Sequence, residues 1–317
     1  MSARCVVTGA GGFLGSYLVK LLKKKGHWVR GVDLKKPLWS ESPADDFKLL
    51  DLRNMGEAMM AVDGADWVFD LAADMGGMGF IENQNASNLL SNTLINTNVI
   101  EACRRNNVKR YFFSSSVCIY PIDQLAIPNP AQLVEEEAIP ANPQGGYGWQ
   151  KLTHEMRTLY YKKEFGLDTR IARFQNTYGP EGTYEGGREK APAALCRKVA
   201  KAKEGDKVEV WGDGKAVRAI TYVDDLIDGV YRLMRSDHDE PVNLGTYEQI
   251  SIGELASLII DISGKDLGLA FVDGPEGVRG RNFSHWKAEH FLGWSAKTKI
   301  KKGIKRTYNW INDQING

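Results

Sequence analysis

Cys5-Val6-Val7-Thr8-Gly9-Ala10-Gly11-Gly12-Phe13-Leu14-Gly15 is the stretch that decides the fold. Its first residues form a short β-branched run, its middle is a glycine turn, and a helix is expected to follow over Phe13–Lys25. Gly9, Gly12 and Gly15 stand at Gly-x-x-Gly-x-x-Gly spacing. Glycines let the backbone turn sharply and approach a pyrophosphate, and a helix N-terminus offers the phosphates unpaired N–H groups and a positive dipole end. Strand, turn and helix occur in the order that such a site needs.

A second run, Trp28–Asp33, ends in an acidic residue eighteen positions after Gly15, where a ribose hydroxyl would be held. Asp33 repels a ribose phosphate and so favours NAD over NADP, although Lys35 and Lys36 follow closely. Further strand signals lie at Phe47–Asp51, Trp67–Leu71, Arg110–Ser115 and Thr169–Phe174, alternating with helices near Leu89–Asn106 and around Tyr147. Such alternation predicts an α/β chain, a Rossmann-type doubly wound parallel sheet covered on both faces. Ligands of these sheets collect at the carboxyl ends of the strands. There the chain places the glycine turn with Phe13 and Leu14, Asp33, Asp51 with Leu52, Leu71-Ala72-Ala73, Ser114 and Phe174, all expected to contact the cofactor.

After Phe174 the pattern loosens into Gly179–Pro192, whose breakers argue against a regular element. Strands at Val208–Trp211 and Arg218–Val223 and helices at Asp224–Arg235, Ser251–Ile262 and Lys301–Ile315 follow. The expected division is a cofactor-binding domain of residues 1–177 and 221–247, with a smaller mixed α/β substrate lobe of residues 178–220 and 248–317.

Composition bounds the partners. The 317 residues carry a formal charge of +1, with basic residues scattered, so nothing suggests nucleic acid or an anionic membrane. Four cysteines without a Cys-x-x-Cys pair point to a reducing compartment, and five histidines show no metal-ligand spacing. A strand signal within four residues of the start, no signal-type leader and no long apolar run lead to the expectation of a cytoplasmic protein.

Tyr147 and Lys151 are four residues apart and share a helix face, so the ammonium can lie near the phenol and favour phenolate, a usable base. Tyr-x-x-x-Lys is common on ordinary helix surfaces; its meaning here comes from the glycine turn. Cys118 stands just past the Ser114-Ser115-Ser116 strand end. A lone cysteine is usually a small buried hydrophobe, but a thiol near neutrality is also a plausible base.

The glycine turn, Ser114-Ser115-Ser116, Tyr147-x-x-x-Lys151 and Arg173-Phe-Gln-Asn-Thr-Tyr-Gly-Pro180 resemble the extended short-chain dehydrogenase/reductase superfamily. Four finer segments are similar to the GDP-mannose 3,5-epimerases: Ala72–Phe80, Cys118–Pro121, Gly186–Ala194 and Gly274–Asn282. The resemblance implies an NAD-dependent isomerase acting on GDP-mannose, with Tyr147, Lys151 and Ser116 serving oxidation at carbon 4. It further implies Cys118 as base and Lys190 as acid on opposite ring faces. For the substrate it implies Met75, Gly76, Gly77 and Asn176 at the sugar and Lys198, Arg279 and Arg281 at the diphosphate. By the same likeness a homodimer forms through helices Leu89–Asn106 and Tyr147–Phe165. Ala216 and the run Phe283-Ser-His285 depart from that family's pattern. A 4-epimerase or sugar dehydrogenase would leave Cys118 and Lys190 idle, and a 4,6-dehydratase carries an Asp-Glu pair where Val117 and Cys118 stand. An NAD-sensing regulatory protein would have no use for Tyr147 and Lys151.

Overall fold

A computed structural model describes residues 2–77, 84–125, 131–143, 145–274, 278–280 and 282–317. β1 (Arg4–Thr8) feeds the glycine turn, and α1 (Phe13–Lys24) follows one residue shorter than expected. Gly15, Leu18, Val19 and Leu22 form the buried stripe of α1, and Lys23 and Lys24 in its last turn suit the negative end of the helix dipole. β2 (Trp28–Asp33), β3 (Asp46–Leu49), α2 (Met55–Val62) and β4 (Trp67–Asp70) complete the first winding. Then come α3 (Asn85–Arg105), β5 (Arg110–Ser116), α4 (Gly145–Phe165) and β6 (Thr169–Phe174).

These strands pair in parallel, and the seven-stranded order is β10-β6-β5-β4-β1-β2-β3, with β10 (Val242–Leu244) at one edge. The order reverses between β1 and β4, which opens a crevice at their carboxyl ends. Every residue of β6 is buried, as a parallel strand covered on both faces requires. Its two arginines are buried with partners: Arg173 binds Glu155 of α4 at 2.8 Å, and Arg170 donates to Ser236 O at 2.7 Å.

Beyond β6 lie β7 (Asn176–Tyr178), α5 (Ala191–Lys201), β8 (Lys207–Trp211), β9 (Val217–Tyr222) and α6 (Val223–Arg235). After β10 come β11 (Gln249–Ser251), α7 (Ile252–Ser263), β12 (Gly268–Val272), α8 (Trp286–Leu292) and α9 (Ile300–Asn316). Two small sheets form here, β11-β9-β7 and β12-β8. Ala191 and Pro192, expected in an irregular stretch, open α5 instead, because a proline in the first helical turn loses no hydrogen bond. Asn176 is the first residue of β7. Ser251 and Glu254 form a capping box at the start of α7, and Gly264 in the left-handed region ends it.

Candidate active site

A cavity of about 600 Å³ opens at the carboxyl ends of β1, β2, β4, β5 and β6. Gly9, Gly12, Phe13, Leu14 and Gly15 form its floor, and Asp33, Asp51, Leu52, Leu71, Ala72, Ala73, Ser114 and Phe174 all line it. The glycine turn is as close-packed as its role requires: a Cβ on Gly15 would sit 2.0 Å from Gly9 O, and one on Gly11 2.0 Å from Lys35 O. Gly12 caps α1 without any side-chain hydrogen bond and no acidic residue occupies the first turn, so the amides at that end suit a phosphate. Asp33 accepts from Gly11 N at 2.9 Å and from Lys35 N at 3.2 Å, which fixes its carboxylate beside the turn. These residues fit a dinucleotide.

The reacting end is built on β5 and α4. Lys151 is buried and its Nζ donates to Ser114 O at 2.8 Å, 5.7 Å from the centre of the Tyr147 ring. Burial pulls this ammonium down to about 8, against the opposing pull of Asp70, Glu155 and Cys118. Tyr147, Lys151, Ser115 and Ser116 line the cavity. Ser116 Oγ accepts from Cys118 N at 3.1 Å and so begins a one-turn 3₁₀ helix, Val117–Ile119, that carries Cys118 to the cavity wall. Cys5, Cys103 and Cys196 are buried in the core, whereas Cys118 is half-buried.

Met75 and Gly76 line the cavity from the loop after β4, and Asn176 and Gln175 from the segment after β6. Lys190, the N-cap residue of α5, lines it from the loop that precedes that helix. One cavity thus gathers Tyr147 and Lys151 with Cys118 and Lys190.

The sequence model of the NAD dependent epimerase/dehydratase family matches residues 5–245. The chain belongs to that family. It is 46% identical over 312 residues to GDP-mannose 3,5-epimerase of Arabidopsis thaliana, an alignment covering 98% of this chain and 82% of that one. GDP-mannose 3,5-epimerase 1 of Oryza sativa subsp. japonica is 44% identical over 314 residues, again 98% of this chain and 82% of the relative. Among solved structures, UDP-glucose 4-epimerase of Thermotoga maritima with UDP-glucose superposes with a TM-score of 0.89 at 24% identity, over 99% of this chain and 100% of that one. UDP-glucuronic acid 4-epimerase of Bacillus cereus, in complex with UDP-glucuronic acid and NAD, gives 0.84 at 25% identity over 98% and 99%. The fold is that of the NAD-dependent epimerases.

Not every expected substrate residue of this epimerase/dehydratase chain lines the cavity. Gly77 packs against the loop that carries Lys190, where a Cβ would meet Glu189 O at 2.4 Å. Lys198 donates to Glu209 O at 2.9 Å and lies over the Trp211 ring, and Arg279 pairs with Asp213 at 2.7 Å. Arg281 lies outside the described residues. Sequence reasoning missed Asp70, Asp74, Gln175 and Arg188. Asp70 is fully buried and accepts from Thr8 Oγ1, Tyr111 OH and Asn96 Nδ2, each at 2.8 Å, and burial raises its carboxyl above the usual range. An acidic residue inside the apolar run Trp67–Leu71 was the available signal. Among the described residues no His, Cys, Asp or Glu group is placed to hold a metal, and no helix is long and apolar enough to cross a membrane.

Proposed function

We propose that this protein epimerises GDP-mannose at carbons 3 and 5, giving GDP-L-galactose, with GDP-L-gulose as the 5-epimer. The observation that carries the reading is the convergence of Cys118 and Lys190 on the cavity that holds Tyr147 and Lys151. The 44–46% identity to GDP-mannose 3,5-epimerases over nearly the whole chain supports it.

Bound NAD, cradled by the glycine turn and Asp33, supplies reversible hydride acceptance at carbon 4. Tyr147 accepts the proton of the hydroxyl on that carbon, and the Lys151 ammonium stabilises the phenolate. A ketone at carbon 4 acidifies the C–H bonds of carbons 3 and 5, which are both alpha to it. Cys118 thiolate removes such a proton, the electron pair enters an enolate, and the Lys190 ammonium protonates the carbon from the other face. Carbon 4 would then take its hydride back while Tyr147 returns its proton to the oxygen there, so the alcohol is restored and no net redox change results. Asn176, Met75, Gly76 and Gly77 orient the sugar, and Lys198, Arg279 and Arg281 serve the diphosphate once the nucleotide-sugar is in place. Residues 178–220 and 248–317 make up the lobe that holds it.

Leu89, Leu90 and Leu94 of α3 and Trp149, Met156, Tyr160 and Phe165 of α4 are exposed on two helices that pack together. A second copy of this chain covering that face as a homodimer accounts for such an apolar surface. Four cysteines without a Cys-x-x-Cys pair suit the cytoplasm.

Proton NMR of GDP-mannose incubated with the enzyme tests the reading. Signals of the 3,5- and 5-epimers are expected, and inversion at carbon 4 alone would replace this assignment with a 4-epimerase.

A further inference from the structure

Lys190 follows Gly186 and Gly187, both in the left-handed region at φ +88° and +81°, so its loop leaves a segment whose backbone is intrinsically permissive. An acid that must reach one face of a sugar needs more than that. Arg188, two residues earlier, donates its Nη1 to Asp74 Oδ1 at 2.7 Å and to Met75 O at 3.4 Å, and its carbonyl accepts from Gly77 N at 3.1 Å. Glu189 pairs with Arg197 of α5 at 3.0 Å. The two residues before Lys190 are therefore tied to opposite sides, one to the loop after β4 and one to α5.

Asp74 is itself braced. Asn88 and Asn92 are buried one turn apart on α3, where asparagine is a poor helix former. Both donate to Asp74 O, and Asp74 N donates to Asn92 Oδ1 at 2.7 Å. The chain of contacts runs from a rigid helix through the Asp74 backbone, its carboxylate and Arg188 to the residue beside Lys190. The Asp74–Arg188 pair is half-exposed, with side-chain accessibilities of 36% and 49%, and an ion pair this open adds little to folding stability. Its strategic position calls for another explanation.

We propose that Asp74 and Arg188 are positioning residues, a latch across the cleft that fixes the face from which Lys190 delivers its proton. The inference rests on the epimerase reading. With the latch open, Cys118 still removes the proton and its electron pair still enters the enolate, but Lys190 no longer supplies the opposite-face proton in time. The Cys118 thiol, once its proton has exchanged with solvent, then returns a hydron to the same carbon on the same face. Exchange continues and inversion fails.

The test is single-enzyme turnover of GDP-mannose in deuterated water, reading by NMR the ratio of deuterium in recovered GDP-mannose to inverted product. Arg188→Ala is expected to lower inversion about 10- to 100-fold and to raise that ratio by a similar factor, because misplacement by an ångström costs this much. Arg188→Lys, which keeps the charge, returns the ratio toward wild type. Asp74→Asn retains the backbone held by Asn88 and Asn92 and serves where Arg188→Ala fails to fold. A merely structural defect lowers exchange and inversion together; an unchanged ratio in both Arg188→Ala and Asp74→Asn overturns the latch. Absence of deuterium uptake and of inversion in the wild type would instead remove the epimerase reading beneath it.

Discussion

Lys151 shows how one residue is tuned by its place. Its side chain is 1% exposed, and removal from water outweighs the attraction of Asp70, Glu155 and Cys118, so the ammonium persists only below about 8. In the proposed reaction this cation supports the Tyr147 phenolate, and its loss would remove that support. Turnover should therefore fall as pH rises through about 8, checked by a kcat profile from pH 6 to 10 on wild type and on Lys151→Arg. Arginine stays charged, so the alkaline fall should vanish from whatever activity that variant retains. At Cys118, alanine should leave cofactor binding intact and lower deuterium uptake at carbons 3 and 5 by roughly 10²- to 10⁴-fold, the usual worth of a general base. That Tyr147, Lys151 and Cys118 would meet at the strand ends was legible in the sequence, because spacing and strand-end position are local properties. Asp74 and Arg188 were not, since a salt bridge between residues 114 positions apart exists only once the loops meet.

The glycine turn governs its elements by exclusion of side chains. A methyl group on Gly15 would meet the Gly9 carbonyl and Ala10 Cα, both backbone atoms that cannot step aside. Gly15→Ala is accordingly expected to abolish NAD binding in a calorimetric titration and to lower the melting temperature, whereas Gly26→Ala, with open space around it but a left-handed φ, should cost stability alone. Asp33, held by two amides beside this turn, should give NAD clearly tighter binding than NADP in the same titration. Strand positions in the parallel sheet were readable within a few residues, because covered parallel strands show as short apolar, β-branched or aromatic runs. α2, β7, β10, β11, β12 and α8 escaped notice. The four strands are short or depend on distant partners, and at the start of α5 Pro192 read as the end of a loop although proline is compatible with a first turn.

Across the molecule, a buried polar chain joins the sheet to the segment Ser284–His285. Gln175, which lines the cavity, accepts from Thr246 N through its Oε1 and donates its Nε2 to His285 Nε2 at 3.3 Å. The other ring nitrogen of His285 then donates to Asn243 O, also at 3.3 Å, so the ring is held neutral. Burial pushes it down from 6.5 to about 4. The unfolded chain binds a proton here first as pH falls below 6.5, so this group's stabilisation, of the order of 3 kcal/mol, is present above that pH and lost down to about 4. Denaturant midpoints measured from pH 7 to 4 should show that slope, and His285→Gln should flatten it. Phe283 packs its ring 5.0 Å from that of Tyr120, whose hydroxyl donates to Asn243, so Phe283-Ser-His285 belongs to one buried unit with Tyr120 and Asn243. In the proposed reaction a sulfur and an amine work on either side of a sugar oxidised at carbon 4. Turnover of GDP-mannose in deuterated water tests it most directly: deuterium should enter at carbons 3 and 5 and be lost together from both in Cys118→Ala, whereas unlabelled carbons 3 and 5 in the presence of turnover would contradict it.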